Sequence, residues 1–280
     1  MTPPADDRPV GVFDSGVGGL TILRAVRQAM PYENLVYVAD AAYVPYGQKS
    51  QEQIRERALA ITGFLVQQRA KAIVVACNTA TAAAIDRLRA QWPIPFVGVE
   101  PAVKPAVAAT RSGVVGVLAT PATLASERYR NLIDRFAAGV HIVAQPCAGL
   151  AEHIERGELE SRATEQLLRA FVEPLLKQGA DVIVLGCTHY PLVAHIVQRI
   201  VGPAVAVIEN GGAVARELVR QLKIRAEEAP QGTSGSELFW SNGATQPFAA
   251  LFLKLWASDA VVHELPTYLS DAGRRFNAAN

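Results

Sequence analysis

The chain has 280 residues, half of them hydrophobic and 19% charged, with 27 Lys and Arg set against 26 Asp and Glu. That composition is globular and long enough for one large domain or two ordinary ones, and a net charge of +1 gives no global electrostatic case for nucleic acid or a membrane surface. Three cysteines without CxxC or Cys/His ligand spacing argue against a disulfide framework and a zinc site, and fit a reduced, cytoplasmic protein.

Met1 to Pro9 is polar and proline-rich and has no apolar signal segment. No apolar run approaches the roughly 20 residues that span a bilayer, so a soluble protein is expected. Pro9 to Phe13 then reads as a strand that ends in the glycine-rich turn Asp14-Ser15-Gly16-Val17-Gly18-Gly19-Leu20-Thr21. Tyr43 to Gly47 reads as a turn, and Gln51 to Gln68 as a helix. The run Arg69 to Ala76 is short, apolar and rich in β-branched residues, the pattern of a strand covered on both faces, and it leads into Cys77-Asn78-Thr79. A helix from Ala82 to Gln91 and a strand from Pro95 to Glu100 follow, and Pro101 and Pro105 then punctuate the chain.

The same pattern returns. Gly113 to Thr120 matches the first strand, Gly179 to Gly186 leads into Cys187-Thr188-His189, and Ala204 to Asn210 matches Pro95 to Pro101. Helices are expected at Glu158 to Gln178 and Val193 to Val201. The two cysteine motifs stand 110 positions apart, which predicts a duplicated α/β protein of two doubly wound, mostly parallel domains with the active site in the cleft between them. The first domain is expected over 1–100, completed by a C-terminal segment at 209–280, and the second over 101–208. In that tail a helix is expected through Leu222, then a polar stretch from Glu227 to Ser236 and an apolar run from Pro247 to Trp256.

Ligands of open α/β sheets bind at the carboxyl ends of the strands, where both thiols are expected. A single cysteine after an apolar strand is most often inert packing. Two at equivalent strand ends suit a different use, because a thiol near a helix N-terminus or a histidinium acts as acid or base near neutral pH. Two such groups on opposite faces of one carbon can take a proton from one side and return it to the other, which is racemisation without a cofactor. Asp14 beside the glycine-rich turn disfavours phosphate and suits an ammonium group or a proton relay, although the glycines also read as a tight turn. His189 is placed for a proton relay with Cys187, whereas His141, His153, His195 and His263 read as structural or surface residues. Cys147, in a segment without a strong strand pattern, reads as buried or incidental.

These motifs resemble those of glutamate racemase. Phe13 to Thr21, Pro45-Tyr46-Gly47, Ala76-Cys77-Asn78-Thr79-Ala80 and Gly186-Cys187-Thr188-His189-Tyr190-Pro191-Leu192 occur in the family's order, over roughly residues 10 to 220. The resemblance implies a cofactor-independent enzyme that interconverts L- and D-glutamate and supplies D-glutamate for bacterial peptidoglycan. It implies that Cys77 deprotonates D-glutamate with help from Asp14, and that Cys187 acts on L-glutamate with help from His189. Ser15, Tyr46, Gly47, Asn78, Thr79 and Thr188 would hold the carboxylates and ammonium group, with Asp14 and His189 also lining the substrate. The family places a further glutamate against this histidine, for which Glu152 and Glu155 are the candidates and Glu155 aligns better. Glu209-Asn210 departs from the Asp-Ser pair usual there and is not assigned to the site. A cytoplasmic homodimer is expected on family grounds, and an interaction with DNA gyrase enters by family analogy alone. The alternatives are an aspartate or other amino-acid racemase of the same superfamily, and a non-catalytic two-lobed amino-acid-binding protein; turnover of the two amino acids separates the first, and the paired thiols argue against the second.

Overall fold

The computed structural model describes residues 6–232, 234–243, 246–256, 259–267 and 269. Met1 to Ala5 of the polar N-terminal stretch, Thr233 of the polar segment and residues 270–280 of the tail lie outside the described residues.

In chain order the elements begin with β1 (Val10–Asp14), α1 (Leu20–Ala29), β2 (Leu35–Ala39), α2 (Gln51–Gln67), β3 (Ala72–Val75), α3 (Asn78–Gln91) and β4 (Phe96–Gly98). There follow α4 (Val103–Ala109), β5 (Val114–Ala119), α5 (Pro121–Ala125), α6 (Glu127–Phe136), β6 (His141–Pro146), α7 (Leu150–Glu155), α8 (Arg162–Lys177), β7 (Val182–Leu185), α9 (Ala194–Val201) and β8 (Ala206–Ile208). The chain continues through α10 (Gly211–Arg225), β9 (Glu237–Ser241), α11 (Gln246–Leu255) and β10 (Val262–Glu264). Among the described residues no helix is long and apolar enough to cross a membrane.

Contacts divide the chain into two compact units, residues 1–99 with 211–280 and residues 100–210. The sheet of the first has the order β10-β9-β2-β1-β3-β4, and that of the second β6-β5-β7-β8. Among the described residues all pairings are parallel. The order β2-β1-β3-β4 thus repeats as β6-β5-β7-β8, with the cysteine-bearing strand in the same place each time. The registers agree as well: the N–H of Ala76 donates to Phe13 O at 2.8 Å, and that of Gly186 to Leu118 O at 2.7 Å.

Every residue of β1, β2 and β3 is buried, as strands covered on both faces require. Phe13, Val38, Ile61, Leu65, Ile73, Val75 and Leu88 belong to one core cluster of the first unit, while Val103, Ala106, Val115, Val117 and Val184 share one in the second. Helix α2 begins at a capping box, in which Gln53 N–H donates to Ser50 Oγ at 3.2 Å and Ser50 N–H to Gln53 Oε1 at 3.1 Å. Its buried stripe runs through Ile54, Ala58, Ile61 and Leu65, and a charged residue, Arg57, stands among them.

Four strands were not singled out from the sequence: β2, β6, β9 and β10. Strand β6 is an edge strand whose residues alternate irregularly between exposed and partly buried, so its sequence lacks a buried run. Cys147 therefore follows a strand, contrary to the expectation of a segment without one. In the tail, the apolar run forms α11, α10 packs on α1, and β9 pairs with β2. Helix α3 starts at Asn78, four residues before the expected Ala82, because Cys77 caps it.

Candidate active site

In the first unit Asp14 ends β1, and Asp40 and Cys77 come just past β2 and β3. Cys77 is the N-cap of α3, and its Sγ accepts the Ala80 N–H at 3.4 Å. Asn78 and Thr79 occupy the first turn. Both amide atoms of Asn78 are buried without a hydrogen-bond partner among the described residues. A buried amide without partners is costly.

Asp14 is fully buried and its Oδ2 accepts the Gly19 N–H at 2.6 Å, while the Ser15 hydroxyl lies 3.4 Å from Oδ1. The Tyr37 hydroxyl donates to Gly16 O at 2.6 Å, so the glycine-rich turn is pinned from β2 as well. A Cβ at Gly19 would fall 2.6 Å from Asp14 Cβ and 2.8 Å from the Tyr37 oxygen. Gly19→Ala is therefore expected to destabilise the fold by about 1–3 kcal/mol through overpacking, read as a lower urea midpoint; an unchanged midpoint would show that the turn yields freely.

Tyr46 and Gly47 lie in a short 3₁₀ turn, Tyr46–Gln48. The buried Tyr46 hydroxyl donates to Asp40 Oδ2. Burial and the adjacent Asp40 carboxylate push the phenol well up from its usual range, so it stays a donor. Arg57 grips Asp40 in a fork, Nε to Oδ2 at 2.9 Å and Nη2 to Oδ1 at 2.7 Å, with both side chains almost wholly buried. The sequence reading missed Asp40 and Arg57. The available signal was Arg57 itself, a charge inside an apolar helical stripe that requires a buried counter-charge.

In the second unit Cys187 follows β7, and His189 leads into the 3₁₀ turn Tyr190–Val193. Cys187 Sγ lies 3.7 Å from His189 Nδ1, and His189 Nε2 lies 2.6 Å from Glu155 Oε1. Burial pulls the His189 pKa down, but the hydrogen bonds to Cys187 and Glu155 outweigh it and hold the imidazole well above its ordinary value. Glu155 ends α7, and Glu152 lies one turn earlier on that helix. A Cβ at Gly186 would fall 2.9 Å from Leu118 O, so glycine lets the chain pass close to β5 before the cysteine. Thr188 is buried beside Cys187.

The repeat holds in strand order and register and is unequal in chemistry. By register Asp14 corresponds to Ala119, Asp40 to Cys147, and His189 to Thr79. His189 thus stands two residues along the chain from Cys187, whereas Asp14 ends β1, the strand that pairs with the one leading to Cys77. Cys147 is buried, which pushes its thiol far up, and its Sγ donates to Gln145 O at 3.4 Å. His153 pairs with Glu158 at 2.7 Å and His195 with Glu160 at 2.6 Å, while the His263 ring packs on Trp240 and His141 is exposed. No group of three or more His, Cys, Asp or Glu is placed to hold a metal ion among the described residues.

The sequence pattern of the Asp/Glu/Hydantoin racemase family matches residues 20–218. The glutamate racemase of Ectopseudomonas mendocina (strain ymp) is 53% identical over 259 residues, covering 91% of this chain and 97% of that protein. The crystal structure of Escherichia coli glutamate racemase in complex with L-glutamate and the activator UDP-MurNAc-ala matches at a TM-score of 0.80 and 32% identity, covering 92% of this chain and 98% of that one. That of Francisella tularensis subsp. tularensis SCHU S4 glutamate racemase in complex with D-glutamate matches at 0.81 and 28%, covering 95% and 99%. This chain belongs to the Asp/Glu/hydantoin racemase family, among its glutamate racemases.

Proposed function

We propose that this protein interconverts L- and D-glutamate without a cofactor, using Cys77 and Cys187 as two acid–base groups. The observation that carries the reading is the pair of thiols at equivalent strand ends, with His189 3.7 Å from Cys187 and Asp14 at the end of the strand beside the one leading to Cys77. Racemisation needs one group to take the α-proton from one face of Cα and another to deliver a proton to the opposite face. Cys187, backed by His189 and Glu155, takes the proton of L-glutamate, and Cys77, backed by Asp14, that of D-glutamate. The substrate is supported by relatives whose structures hold L-glutamate in one case and D-glutamate in another.

The α-proton of an amino acid is weakly acidic, so the carbanion must be met by preorganised donors in a dry site. Asn78 brings a buried, unpartnered amide, and Ser15, Thr79 and Thr188 bring hydroxyl donors, while the turn Tyr46-Gly47 brings backbone donors that hold the substrate itself. The D-glutamate formed would supply peptidoglycan synthesis.

The test is proton NMR of the protein with L-glutamate in D₂O beside a circular dichroism trace. Early in turnover, deuterium is expected at Cα of the D-glutamate formed and not in the remaining L-glutamate, because the proton removed by one thiol is not the one delivered by the other. Protium retained in the product would sink the two-base assignment. Glutamate bound without exchange or loss of optical activity would sink the enzymatic reading, and faster turnover of aspartate would move the substrate.

A further inference from the structure

The turn that carries Tyr46 and Gly47 is clamped by the C-terminal segment. Strand β9 pairs with β2 in a register that sets Ser241 opposite Ala39, so Asn242 emerges beside Asp40. The half-buried Asn242 amide works at both ends: Nδ2 donates to Asp40 Oδ1, and Oδ1 accepts the Ala42 N–H at 3.0 Å. Gly243 comes next, and a Cβ there would lie 2.7 Å from Ala42 N and 2.9 Å from Ala41 C. From the other side Arg57 holds Asp40, stacks at 4.1 Å on the Tyr43 ring and donates to Leu269 O. Asp40 in turn accepts the hydroxyl of Tyr46. The carboxylate therefore has donors from β9's end, from α2 and from the turn itself, and is completely buried.

We propose that Asn242 and Gly243 are positioning residues for glutamate binding: with Arg57 they fix Asp40 and the segment Ala41–Tyr46, and so set the place of the Tyr46-Gly47 donors. The inference rests on the glutamate racemase reading above. Nothing in the site requires three buried polar groups and a half-buried amide simply to hold a turn, since an apolar plug would serve stability as well. A polar cluster with every partner satisfied does specify a single geometry for the residues it holds. The donors it places bind substrate and transition state alike, so the loss belongs in KM rather than kcat.

The experiment measures kcat and KM in both directions for the wild type, Asn242→Ala, Gly243→Ala and Tyr46→Phe, with urea midpoints alongside. Asn242→Ala and Gly243→Ala are expected to raise KM about tenfold in each direction and to leave kcat within about threefold. Asn242→Ala combined with Tyr46→Phe should raise KM by less than the product of the single effects, because both donors end on the same carboxylate. A lowered urea midpoint with unchanged KM would overturn the proposal and make the clamp a stabilising device alone. A loss confined to kcat, or full additivity in the double variant, would overturn it too. A wild-type protein that does not racemise glutamate would remove the functional reading, and this inference with it, before any variant is compared.

Discussion

Cys77→Ala and Cys187→Ala are each expected to lower kcat/KM for glutamate racemisation by at least about 10²–10⁴-fold, the usual contribution of a positioned acid–base group. The loss should be nearly total, because in the proposed two-base mechanism each thiol serves one face of Cα only. Alanine removes one buried sulfur from each site, so the fold should persist, and unchanged circular dichroism in the far ultraviolet would verify that. Proton exchange separates the two roles. In D₂O, Cys77→Ala retains the base for L-glutamate and should exchange only the L-enantiomer, whereas Cys187→Ala should exchange only the D-enantiomer. Turnover by either variant within a few fold of the wild type would end the two-base mechanism. Exchange of the opposite enantiomer would reverse the assignment of faces.

The placement of the two cysteines was legible in the sequence because both follow buried, β-branched strands, which advertise themselves without tertiary context. Asp14 was legible for the same reason, since β1 is buried along its whole length. The edge strand β6 was not, because a half-exposed strand has neither a continuous apolar run nor clean alternation. The strands β9 and β10 lie in the tail, where the pairing with β2 is set by tertiary contact and leaves no local signature. Asp40 escaped for a related reason: a single acidic residue after a strand has many readings, and only its encounter with Arg57, 17 residues later, gives it one.

The unequal surroundings of the two thiols follow from the duplication. A shared backbone fixes where Cys77 and Cys187 stand, but His189 corresponds to Thr79 and Asp14 to Ala119. Each half keeps one titratable helper and drops the other. The proposed mechanism thereby assigns a mirror-symmetric reaction to two chemically different acid–base pairs, carboxylate with thiol and imidazole with thiol. The equilibrium constant of a racemisation is one, so kcat/KM must be equal in the two directions for the wild type and for every variant. The difference between the halves can be read only in kcat, KM and isotope effects.

Glu155→Gln puts that constraint to use. The Glu155 carboxylate lies 2.6 Å from His189 Nε2 and turns Nδ1 toward Cys187. Its replacement is expected to lower kcat/KM by about 10–100-fold, as loss of a carboxylate behind a working histidine does elsewhere. The fall must be the same from either enantiomer. The isotope effects should nevertheless diverge. Slowing proton transfer at Cys187 makes C–H cleavage more rate-limiting for α-deuterated L-glutamate and less so for α-deuterated D-glutamate; an Asp14→Asn variant should show the reverse. The pH dependence carries a second signature. His189 holds its proton above its ordinary pKa, so the stability this contributes is fully present below that ordinary value and is lost as pH rises through the raised one. Glu155→Gln removes one of the two hydrogen bonds that raise it. The alkaline decline of both the urea midpoint and kcat/KM should then move to lower pH. Equal isotope effects from the two enantiomers, with an unmoved alkaline limb, would mean that Glu155 holds α7 in place and does not act through His189.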